Sequence, residues 1–190
     1  MPKSGQRKMR NQGELQSALT HFDYEVSMLS ETARLLSDPN TANTPIENAL
    51  LESFTVHARA LIHFVFPSGL IHDEDVLAED YFVHRATWDG VRGSVPVVLT
   101  DARSRIGTEI AHLSYARLRV LPAAKGWNIK AIVSALLPLI DLFKKNADRL
   151  SLASSANTLL VATLNPSATN DIRTSVSSPS ANPSVPGSTK

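Results

Sequence analysis

The chain is predicted to be all-α: an antiparallel bundle of four to five helices over residues 13–150. A basic flexible arm is expected at 1–12 and a disordered tail at 151–190. Three observations predict this. Leu15, Leu19, Phe22, Val26, Leu29, Ala33 and Leu36 recur in steps of four and three, the apolar seam of one long helix. Comparable stripes recur on three later segments. The alternation of β-branched and polar residues that marks strands is absent.

The first helix stops at Ser37-Asp-Pro-Asn40, a cluster of breakers. The second has a strong start. Thr44-Pro45-Ile46-Glu47 offers a capping box with proline in the first turn. Ile46, Leu50, Phe54, Leu61 and Val65 then run inward to Pro67, a wide apolar surface that predicts a central helix. Residues 67–94 read mostly as loop, with Gly69, Gly90 and Gly93, and a short acidic helix near Asp75 to Phe82. The third long helix is expected from a Ser94 cap, with Pro96 in its first turn. Val95, Leu99, Ala102, Ile106, Ile110 and Leu113 face the core, and Pro122 follows its end. The fourth runs from Asn128 to about Leu150, with Ile129, Ile132, Val133, Leu136, Ile140 and Phe143 inward. Pro138 is expected to kink it. Trp88 and Trp127 sit at element boundaries, where an aromatic with one wet side closes a bundle end.

At 190 residues the chain suffices for one domain with a real core. There is no cysteine, which excludes disulfide scaffolds and thiolate metal sites and fits a cytoplasmic protein. Residues 1–13 are polar and basic, without the apolar core of a leader peptide. The longest apolar run, from Ile129 to Phe143, is interrupted by Lys130, Pro138 and Asp141, so no membrane span is expected. The net charge of +1 hides an asymmetry. Lys3, Arg7, Lys8 and Arg10 make the arm basic, and the middle of the chain is net acidic. A broad basic face for nucleic acid is therefore not visible in the composition. One local exception is residues 103–119, where Arg103, Arg105, Arg117 and Arg119 stand against Glu109 alone.

Arg105 and His112 lie in that exception, with six residues between them. On a continuous α-helix, seven steps of about 100° bring the two side chains within roughly 20° of one another, two turns apart. A guanidinium and an imidazole on one face can handle a phosphodiester. The same pair can equally be structural, with Arg105 paired to Asp101 or Glu109 one turn away.

With this Arg-x(6)-His on the third helix, the chain resembles the HEPN superfamily. These are small all-α bundles whose ribonuclease members carry Arg-x(4–6)-His. Glu109-Ile-Ala-His112-Leu-Ser-Tyr115-Ala-Arg117 is similar to the corresponding stretch of HEPN-like bacterial proteins. Asn48-Ala-Leu-Leu-Glu-Ser-Phe-Thr-Val-His-Ala-Arg-Ala-Leu-Ile-His-Phe64 is similar to their second helix. The resemblance covers about residues 13–150. It departs at Ile106, where active members usually carry a small polar residue. It implies a metal-independent endoribonuclease of toxin or defence type, without cofactor, acting as a homodimer with a shared groove. RNA and an antitoxin-like protein are the implied partners. His112 would transfer the proton and Arg105 would stabilise the phosphorane, with Thr108 and Tyr115 positioning phosphate. The superfamily also contains members that bind or scaffold and do not cut. The alternative is therefore a non-catalytic module for dimerisation or for RNA, nucleotide or partner binding.

Arg59 and His63 form a second pair at i, i+4 on the second helix. With His57 they are expected beside the third helix, where Arg59 and His63 can contribute to one polar cleft that binds substrate; the alternative, which the residue types favour, is that His57 and His63 are partly buried and satisfied by hydrogen bonds. Glu109-x-x-His112 matches half of a di-iron bundle motif, but no second copy exists, so no metal is expected. His72-Asp-Glu-Asp75 lacks the glycine and the spacing of a calcium loop and reads as a solvated loop.

Overall fold

A computed structural model describes residues 7–111, 115–120 and 126–147. The chain divides into a unit over Met1–Leu152 and a second over Ala153–Lys190, and every described residue belongs to the first. The expected tail lies outside the described residues, as do the first six residues of the expected arm. The architecture is an antiparallel helical bundle. Among the described residues there is no strand.

Helix α1 spans Gln12–Leu36. Asn11 Oδ1 accepts the Glu14 N–H at 2.9 Å, and the Glu14 carboxylate accepts the Asn11 N–H at 2.8 Å. This reciprocal cap satisfies two groups at the helix start and stabilises it by about 1 kcal/mol. Leu15, Leu19, Phe22 and Leu29 of the seam are buried, and Val26, Ala33 and Leu36 pack half-buried beside them. Helix α2 spans Pro45–Val65 and packs along α1 as the other arm of a hairpin. Thr44 Oγ accepts the Glu47 N–H at 3.2 Å. The reciprocal bond is offset by one residue: the Glu47 carboxylate accepts from Asn43, whose φ is +59°. Phe54, Ala58, Leu61, Ile62, Phe64 and Val65 are all buried, as a central helix requires. Ile46, expected inward, is exposed in the first turn, where the helix has only begun and its apolar stripe is not yet covered.

The segment between α2 and the next long helix is more ordered than expected. A single 3₁₀ turn, Ala78–Tyr81, stands where the short acidic helix is predicted. Helix α3, Arg85–Arg92, replaces predicted loop. Its stability is tertiary. Trp88 is buried and donates its indole N–H to the Val65 carbonyl at 2.9 Å. Gly93 ends the helix at φ +68°, a conformation that favours glycine.

Helix α4 spans only Val97–Arg105. Pro96, not Ser94, precedes it, and Val95 is exposed. The predicted long third helix is corrected here. Residues Ile106–Ile110 form a π-helical turn, closed by Ala111 N–H to Ile106 C=O at 2.9 Å. The wider turn keeps Ile106 in the core and leaves Ile110 against it. Leu113 lies outside the described residues. A 3₁₀ turn, Tyr115–Arg119, follows. Helix α5 spans Ile129–Asn146, with Asn128 Oδ1 accepting the Ala131 N–H at 3.0 Å. It ends short of residue 150, since Ala147 is already extended. Its inward residues Ile132, Leu136, Ile140 and Phe143 are buried as predicted.

The core centres on Phe143. The rings of Phe22, Phe64, Tyr81, Phe82 and Trp88 surround it with centroids 4.9–6.4 Å away, mostly edge-on. Tyr81 donates its hydroxyl to the Leu15 carbonyl at 3.1 Å. Burial, then the nearby Asp80 and Asp23, push the phenol well above its ordinary pKa.

Candidate functional site

The described site residues expected from the sequence lie at two places on the bundle. The first is the end of α4. The Arg105 guanidinium lies bidentate on Glu109, with Nε and Nη2 at 2.8 and 2.9 Å from the carboxylate oxygens. Its Nη1 donates to the Gly126 carbonyl at 3.0 Å. Its flat face covers the Trp127 indole, 4.1 Å from the ring centroid. The hydrogen bond to Glu109 raises the guanidinium pKa further. Arg105 therefore ties the π turn to the segment that leads into α5. Thr108 is exposed, and its hydroxyl is turned back to the Ser104 and Arg105 carbonyls. Tyr115 is almost fully exposed at the start of its 3₁₀ turn. His112 lies outside the described residues. The continuous α-helix that would align it with Arg105 is interrupted by the π turn.

The second place is a groove of about 480 Å³ between the C-terminal half of α2, the 68–75 loop and the π turn. Arg59 and His63 both line it, one turn apart on α2. The residue of α4 that reaches it is Arg103, not Arg105. His57 points elsewhere: it is buried against α1, with Nδ1 2.7 Å from the Glu25 carboxylate.

The groove wall is built by the end of α2. That helix stops at Phe66, ahead of Pro67, and leaves carbonyls without intrahelical partners. Arg103 donates to the Ile62 carbonyl at 3.3 Å, to the Phe66 carbonyl, and to Ser68 Oγ at 2.6 Å. Trp88 and Arg92 both donate to the Val65 carbonyl, the latter at 2.7 Å. Two guanidinium groups thus meet the negative end of the α2 dipole. Burial, and then the neighbouring Arg92, lower the Arg103 pKa from its ordinary value.

On the loop side, Asp75 Oδ2 accepts the His72 N–H at 2.7 Å and lies 3.3 Å from His63 Nε2. Burial alone would raise the Asp75 pKa. The bond from His72, the contact with His63 and the two nearby imidazoles outweigh it and hold the carboxyl below its ordinary range. Asp75 thereby fixes the His63 ring. Arg59 is exposed and makes no hydrogen bond or ion pair among the described residues.

Arg103, His72 and Asp75 are groove residues that the sequence patterns did not mark. Arg103 belongs to the basic run 103–119, but nothing in that run says which arginine faces α2. His72 and Asp75 sit in the acidic stretch read as a solvated loop. Among the described residues, no group of three His, Asp or Glu side chains is placed to hold a metal ion. No described helix is long and apolar enough to cross a membrane. No family model, curated protein or solved structure matches the chain significantly.

Proposed function

We propose that the chain is a non-catalytic helical module of HEPN type that recognises a partner and does not cut RNA. The observation that carries this reading is the engagement of Arg105. A guanidinium that stabilises a phosphorane must present its donors to the substrate. Here they are taken by Glu109 and Gly126, and the face is taken by Trp127. Ile106 supports the same reading. It is buried in the core, so it serves packing at the place where active members of the superfamily carry a small polar residue.

The ribonuclease remains the second reading, favoured by one observation. The π turn ends at Ile110, two residues before His112 in the sequence, and such turns are frequent at functional sites. Incubation of the purified protein with single-stranded and hairpin RNA, with and without EDTA, decides between the two. The module leaves both RNAs intact, and Arg105→Gln changes its melting temperature alone. EDTA-resistant cleavage that both His112→Ala and Arg105→Gln abolish, in variants that keep their helicity, overturns the module.

A further inference from the structure

The groove beside α2 has two kinds of surface. Part of it is aliphatic: Val56 and Leu70 line it and are 58 % and 70 % exposed, and Ile106 and Ile110 line it from the π turn. Its rim carries Arg59, which has no partner among the described residues, and the exposed His72. Its acid, Asp75, is turned onto its own neighbours, His72 and His63. A ligand entering the groove therefore meets aliphatic surface and an exposed cation that no described side chain pairs.

We infer that this groove docks an acidic, aliphatic segment of a partner protein, whose leucine-like side chains cover Val56 and Leu70 while a carboxylate pairs with Arg59. The inference rests on the partner-binding reading of the module and names the chemistry of that partner. Exposed aliphatic area supplies the favourable term, and the exposed Arg59 guanidinium selects the sign of the partner's charge. A groove of about 480 Å³ accepts two or three such side chains. Nucleic acid is the less fitting occupant. Bases of single strands stack on aromatic rings, and among the described residues no Phe, Tyr or Trp lines the groove.

Fluorescence anisotropy with the full chain tests this. Three labelled probes are used: a peptide alternating Leu with Glu and Asp, the same peptide with Lys in place of every acid, and an oligouridylate. Binding of the acidic peptide is expected, at least about tenfold tighter than binding of the Lys version. Arg59→Glu and Leu70→Asp should each weaken it about tenfold or more. Both positions are exposed, so the variants should fold, and circular dichroism confirms this. Arg34→Glu, on α1 and paired to Glu31, should leave binding unchanged. Equal binding of both peptides, or binding of neither, overturns the inference. Oligouridylate binding that Arg59→Glu abolishes replaces the partner protein by nucleic acid. These outcomes are separate from RNA cleavage, which would instead overturn the non-catalytic reading.

Discussion

Glu109 takes two N–H groups of Arg105 side by side, at 2.8 and 2.9 Å, one helical step of four residues away. The pair is only partly exposed, with 27 % and 16 % of the two side chains accessible. It spans the π turn from one end to the other, and Trp127 covers its outer face. The contact is thus a brace for an irregular piece of helix.

Removing the brace should cost stability. Arg105→Gln is expected to destabilise by about 1–2 kcal/mol, combining a partly shielded bidentate pair with the cation–π contact to Trp127. Glu109→Gln should cost less, because Arg105 keeps Gly126 and Trp127. Chemical denaturation followed by helicity measures both. A double-mutant cycle should return a favourable coupling energy of about 0.5–1 kcal/mol. Zero coupling would show that the two side chains act independently.

Trp88 and Arg92 share the Val65 carbonyl, and the sharing has a testable consequence. Trp88→Phe keeps the ring among Phe82 and Phe143 but loses the indole donor. Arg92 still satisfies the carbonyl, so the single change should cost about 1 kcal/mol. In the double variant with Arg92→Ala the buried carbonyl loses both donors, and the loss should exceed the sum of the single changes. Strict additivity in urea denaturation would contradict the shared acceptor. By contrast, Phe143→Ala empties the centre of the aromatic cluster and should cost about 3–5 kcal/mol.

The contrast between α1 and α3 shows what could be read from sequence. The seam from Leu15 to Leu36 is local and repeats over many turns, so periodicity alone reveals it. The Thr44 cap is local too. Helix α3 is short, contains Gly90, and buries little beyond Trp88. Its reason for being helical lies in α2 and α5, far away in the chain. The π turn is hidden for a related cause. Ile106 and Ile110 fit an α-helical stripe equally well, and the extra residue is set by how Ile106 packs. An uninterrupted helix would align Arg105 with His112. In the folded chain Arg103 turns to α2 and the groove, while Arg105 turns to Trp127. Arg59 and His63 could be placed on one face of α2 because their i, i+4 spacing is local. Leu70 and His72 could not, because the loop that carries them is positioned by Asp75 meeting His63 across the groove.

Stability should depend on pH at both ends of the scale. Asp75 has its pKa lowered from the ordinary 3.8. A depressed carboxylate contributes stability that is present above its unfolded pKa and is lost as pH falls through the folded one. Stability should therefore fall below about pH 4, and Asp75→Asn should flatten part of that fall. Tyr81 has its pKa raised, chiefly by burial. Its contribution is present below the ordinary 10.0 and is lost as pH rises beyond it. Tyr81→Phe should weaken the alkaline fall, at the cost of the bond to Leu15. Melting temperatures across pH test both, and slopes unchanged by either substitution would remove these groups from the linkage.

The described part of the N-terminal arm is held, and Asp80 holds it. Asp80 is 4 % exposed, in a region where a lone charge is costly. Arg7 meets both of its oxygens, at 3.1 and 3.0 Å, Arg85 approaches at 3.2 Å, and the Leu77 N–H donates at 3.1 Å. Arg7 also reaches the Asp75 carbonyl, and Arg10 the Asp73 carbonyl, so the arm clasps the loop that forms one side of the groove. Breaking a buried pair from one side leaves the other charge exposed to its full desolvation cost, about 3–5 kcal/mol for an isolated pair. Arg85 remains beside Asp80, so Arg7→Ala should cost less, about 1–3 kcal/mol. Asp80→Asn leaves Arg7 and Arg85 facing a neutral group and should cost a similar amount. The distinctive expectation is local. In Arg7→Ala, hydrogen exchange should quicken over residues 73–80 and stay unchanged in the middle of α2. Uniform quickening across the bundle would show that Arg7 supports the whole core and has no particular hold on the loop.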